Sequence, residues 1–157
     1  MYETVAIRRL QRTLLIHRVV QILLCALLIY MALHFQQLFQ AKGEPHVFRN
    51  SMLATLLIEF ALFFPIRRFA GNEAQREFAA AAAQVTVEQQ KRLRQQRLFG
   101  DTLKGAVFLG YTAFILISPP ATFVLCTAFF CFIVTVITYL QCFSFAVHKG
   151  LASRTAA

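Results

Sequence analysis

Four apolar stretches divide the chain: Val19 to Phe39, Val47 to Ile66, Thr102 to Ser118 and Ala121 to Val147. At about 1.5 Å of rise per residue, about 20 residues of helix cross the roughly 30 Å hydrocarbon layer of a bilayer. A backbone in lipid must satisfy its own hydrogen bonds, which leaves helices as the structure for such stretches. The expected fold is all-α, a polytopic bundle of four transmembrane helices. The third stretch is short and is expected to borrow a turn from the residues before it. Composition agrees: 58% of the residues are hydrophobic and 15% charged, against about a quarter charged in soluble domains.

The connections fix the expected topology. "AKGEPH", with Gly43 and Pro45, and the pair Pro119–Pro120 are tight turns. Fourteen of the 16 Lys and Arg fall on the opposite side from these turns, and only Lys42 and Arg49 lie with them. Basic residues gather in cytoplasmic loops, so both termini are expected inside, in a bacterial inner membrane. A net charge of +9 would suggest nucleic acid in a soluble protein. Here membrane flanks account for it, and no nucleic-acid partner is expected. The apolar run after Arg18 is long and lacks a small-residue cleavage site, so it is expected to remain as a span.

The expected cytoplasmic parts are helical. In residues 1–18, Ile7, Leu10 and Leu14 share one side and Arg8, Arg9 and Arg12 lie toward another, a pattern suited to an anionic leaflet. Residues 67–101 form a basic segment. Gly71 and Asn72 are expected to close the second span, with Asn72 and Gln75 starting a new helix as in a capping box. Thr86 and Gln89 repeat that signal, so a break is expected near Val85. Either a hairpin or a single surface helix follows. Arg92, Arg94 and Arg97 are candidates to dock a partner or anionic lipid. Gly100 is expected to end the segment, Asp101 to cap the third span, and residues 148–157 to be a disordered tail.

Glu59 stands in the middle of the second span. An intramembrane acid is costly, and marks a functional site unless a hydrogen bond satisfies it. Counting inward from the basic boundaries, the layer of Glu59 meets Cys25 and Ala26 on the first span, Tyr111 and Thr112 on the third, and Gln141 and Cys142 on the fourth. Cys131, Thr135, Thr138 and Cys142 form one stripe of the fourth helix, and His17, Gln21, Cys25 and Leu28 one side of the first. Ala106, Gly110 and Ala113 make a small-xxx-small face on the third, the pattern of close helix contact. Gln141, Tyr111 or Tyr139 are the expected partners of a protonated Glu59. Phe130, Phe132, Phe143 and Phe145 flank the fourth-span stripe and are expected to meet lipid.

Catalytic patterns find no support. The four cysteines lie in apolar runs without a CxxC pair, and read as small hydrophobes at helix contacts. His17 with His148, or His34 with His46, can in principle supply two haem ligands, but no motif fixes their geometry. No cofactor is expected, with haem the remote alternative. No phosphate-cradling loop, HExxH or GxSxG occurs. The expected function is a non-enzymatic membrane subunit, accessory or scaffold, partnered by other membrane subunits, itself or anionic lipids. The alternative is a small oligomeric transporter or channel using Glu59, Gln21, Thr135 and Thr138; a redox subunit carrying haem or pigment comes last.

Overall fold

The first helix stops where its sequence says it must. Gly43 has φ 74°, the left-handed region that a glycine adopts without strain. The Glu44 amide donates to the Phe39 carbonyl (2.9 Å) and the Gly43 amide to the Gln40 carbonyl (3.0 Å). These two bonds are the Schellman closure of a helix end. Pro45 then opens the next helix at its first position, where a missing N–H costs nothing.

A computed structural model describes residues 2–81, 87–119 and 122–155, with side chains described for 11–79, 88, 91–119 and 122–152. It is all-helical: α1 Tyr2–Ala41, α2 Pro45–Ala81, α3 Val87–Ile117 and α4 Phe123–Thr155. Thr122 caps α4, its hydroxyl accepting from the Leu125 amide at 3.2 Å. All four helices are long and apolar enough to cross a membrane, consistent with a multi-pass membrane protein.

Several expected boundaries dissolve. α2 runs through Pro65, Gly71 and Asn72 without ending, and α3 through Gly100 and Asp101. Pro65 cannot donate to the carbonyl one turn back, a loss that membrane helices tolerate. Gly100 is buried, and a Cβ placed there would meet Phe69 at 3.9 Å, so it serves the contact of α3 with α2 rather than a helix end. α4 stays helical to Thr155, where a disordered tail was expected, because Val147 is fully buried and Leu151 packs on the same cluster. The break expected near Val85 lies outside the described residues.

The α2–α4 pair is the spine, with the most extensive contact in the molecule. Among the described residues, α1 and α3 each touch both spine helices but not each other. No single core is shared by four helices. One apolar cluster, around Phe35, Phe39, Cys126 and Phe130, closes the end that carries the tight turns. A second, around Ala70, Ala74, Phe143 and Val147, closes the end that carries the termini. Phe130 and Phe143 are therefore core residues, not lipid contacts, and Phe132 packs on Phe108 and Tyr111. Only Phe145 of that expected lipid-facing set is largely exposed, at 68%.

Candidate functional site

Between the two apolar clusters the spine is polar. Ser51, Thr55 and Glu59 recur every four residues on α2, which places them on one face, and all three are buried. Opposite them α4 presents Cys126, Cys131 and Thr135. Ser51 Oγ donates to the Val47 carbonyl at 2.9 Å and lies 3.4 Å from the Phe123 carbonyl across the interface. Thr55 Oγ1 donates to the Ser51 carbonyl at 2.8 Å. Cys126 and Cys131 are both buried. The ladder is small side chains in a close helix contact, each satisfied by its own backbone or across the pair.

Glu59 ends that ladder. Thr135 Oγ1 donates to Glu59 Oε1 at 2.6 Å. Tyr111 of α3 packs on Phe132 of α4, with ring centres 5.3 Å apart, one helical turn from Thr135. Glu59 Oε2 is buried and has no hydrogen-bond partner among the described residues. A groove of about 450 Å³ between α3 and α4 is lined by Val107, Gly110, Tyr111, Phe114 and Ala128, and Glu59 does not line it.

The structure brings together only part of the expected layer. Thr135 and Tyr111 are there, with Cys131, and Thr138 and Cys142 lie partly buried further along α4. Gln141 and Cys25 are exposed and turn away. The inward stripe of α1 passes His17, Gln21, Leu24 and Leu28, and Cys25 sits about 70° off its midline by helical geometry. Neither Gln141 nor Tyr139 is the partner of Glu59. A shared depth says nothing about the side of a helix, and that is where depth counting erred.

Tyr139 belongs to a second polar node, nearer the termini. It donates to Glu73 of α2, and Lys104 of α3 donates to the other oxygen of that carboxylate. Lys104 also sits 5.3 Å from the Tyr139 ring centre and 3.5 Å from Asp101. From α1, His17 lies against Phe143 with ring centres 5.2 Å apart, close enough to Lys104 and Glu73 to feel both charges. Each of the four helices thus contributes to it, α3 and α4 with two residues each. Of the other histidines, His34, His46 and His148 are all exposed.

The basic segment folds back as a hairpin. Arg97 pairs with Glu77 at 2.8 Å and Arg76 reaches the Gln96 carbonyl at 3.4 Å, tying α3 to the far end of α2. Arg92, Arg94 and Arg12 are exposed; the side chains of Arg8 and Arg9 lie outside the described residues.

Set against known proteins, the chain matches no family model, no curated protein and no solved structure. Its own chemistry carries the functional reading. Ser51, Thr55 and Glu73 escaped the sequence reading, although the spacing of four from Ser51 to Glu59 was visible in it.

Proposed function

We propose that the chain is a non-enzymatic integral membrane subunit or scaffold of a larger assembly, in a bacterial inner membrane with both termini cytoplasmic. One observation carries this reading. Ala106, Gly110 and Ala113 form a small-residue face on α3, and all three are exposed. The contacts of α3 with the spine use another side, through Gly100, Lys104 and Tyr111. A Cβ added at Gly110 would meet nothing within 4 Å. Small faces of this kind let a second membrane helix approach closely, so the occupant is a helix of another copy or another subunit.

The native mass in mild detergent tests this. An assembly larger than one chain is expected, and Gly110→Leu is expected to reduce it to the single chain while the fold persists. A wild-type protein that remains a single chain, with no co-purifying subunit, defeats the reading. The topology has its own test: a thiol at Glu44 labels from outside intact cells and one at Gln89 does not.

A small transporter or channel is the second reading, favoured by the buried Glu59 Oε2, which has no hydrogen-bond partner among the described residues. Proteoliposome flux that is abolished by Glu59→Gln would support it over the first.

A further inference from the structure

The turn end of the molecule holds a pocket of about 340 Å³ between α1 and α2, lined by Gln36, Gln40, Pro45, Phe48, Arg49 and Met52. Its two halves differ in chemistry. Arg49, Gln36 and Gln40 supply hydrogen-bond donors, whereas Pro45, Phe48 and Met52 supply an apolar wall. Arg49 is exposed and makes no ion pair or side-chain hydrogen bond among the described residues. Glu44 stands at the N-terminus of α2 and opposes the positive end of its dipole, so Arg49 itself supplies the positive charge of the pocket. Lys42 and Glu44, both exposed on the adjoining turn, offset one another.

Depth decides what fits. Arg49 lies about 6 Å along α2 from Pro45, and Gln36 about 8 Å along α1 from Ala41, at the helical rise. With the α1–α2 turn at the bilayer surface, those distances match the roughly 5–7 Å depth of one headgroup layer, so the donors stand level with lipid phosphates. We propose that this pocket binds one phospholipid from the leaflet facing the α1–α2 turn. Its phosphodiester takes the Arg49 guanidinium and the Gln36 and Gln40 amides. An acyl chain follows Phe48 and Met52. The guanidinium fork matches a phosphate better than a lysine does.

The test is native mass spectrometry of the full chain in detergent, titrated with dioleoyl phosphatidylglycerol. One adduct is expected to form ahead of any others. Arg49→Gln is expected to weaken it roughly tenfold, the scale of one charge-assisted hydrogen bond. Arg49→Lys is expected to fall between the two. Arg92→Gln with Arg94→Gln is expected to leave this adduct and remove only later, weaker ones. Inorganic phosphate in excess is expected not to displace the lipid. No preferred wild-type adduct, or an unchanged adduct in an Arg49→Gln protein that unfolds like wild type, overturns the proposal. Displacement by phosphate alone overturns it too, leaving an anion site. Should Arg49→Gln fail to fold, Gln36→Leu with Gln40→Leu takes its place, and full retention there has the same force.

Discussion

Tyr139 on α4 donates its hydroxyl to Glu73 on α2, and the same carboxylate holds Lys104 of α3. Because three helices meet on one carboxylate, the parts should not act independently. Tyr139→Phe is expected to lower stability by about 1 kcal/mol, the scale of an interhelical hydrogen bond in a membrane protein. Glu73→Leu should cost more, because it leaves the Tyr139 hydroxyl without its acceptor and Lys104 with only the more distant Asp101 at 3.5 Å. Adding Lys104→Met should recover part of that loss. Unfolding of the double-mutant cycle in mixed detergent measures the coupling, and strictly additive costs would mean that no shared node exists.

How far this node was legible follows from its residues. Glu73 reads as part of a charged, soluble-looking stretch, "GNEAQREF", with breakers before it. Only the unbroken α2 carries it back against α4. Membrane helices tolerate Pro65 and Gly71 because neighbouring helices re-satisfy the backbone, so local breaker signals lose their meaning there. Apolar length, by contrast, needs no partner to be read, and it was enough for the four-helix architecture. Which side of each helix faces inward depends on neighbours, and that is where Cys25 and Gln141 were misplaced and Ser51 and Thr55 missed.

Two glycines make opposite predictions. A Cβ at Gly150 would lie 2.4 Å from the Phe78 ring, whereas one at Gly110 meets nothing within 4 Å. Gly150→Ala therefore forces the Phe78 ring aside and should destabilise the α2–α4 contact by about 1 kcal/mol or more, the low end for overpacking. Gly110→Ala should leave the isolated chain as stable as wild type or slightly more so, since alanine is the better helix former. Thermal unfolding of the two variants side by side checks the contrast; equal behaviour would contradict the packing at Gly150.

The three arginines of α3 should divide by role. Arg97 is held by Glu77, and Arg92 and Arg94 project outward. Arg92→Gln with Arg94→Gln should weaken attraction to an anionic bilayer by about 1 kcal/mol per charge, with the effect fading as salt rises. Arg97→Gln should weaken it less and instead loosen the hairpin, by no more than about 1 kcal/mol for so exposed a pair. Chymotryptic cleavage near Leu98 and Phe99, in anionic and in neutral vesicles, separates the two effects. Protection lost equally in all variants would leave the three side chains with one common role.

At Glu59 the geometry sharpens what a substitution can report. Thr135 holds one oxygen at 2.6 Å, and the other has no partner among the described residues. Gln keeps an acceptor for Thr135 and places an amide donor where Oε2 stood, but it cannot titrate. If Glu59 serves only the α2–α4 contact, Glu59→Gln should unfold close to wild type and Glu59→Leu should lose about 1 kcal/mol. Thr135→Val should lose a similar amount, and combining it with Glu59→Leu should add little more, since both remove the same bond. If a neighbouring subunit satisfies Oε2, Glu59→Leu should lower the native mass of the assembly before it affects the unfolding of the single chain. Unfolding and native mass, read on the same Gln and Leu variants, therefore distinguish a bond within the chain from one between chains. A Leu variant unchanged in both would show that the carboxylate has no needed partner at all.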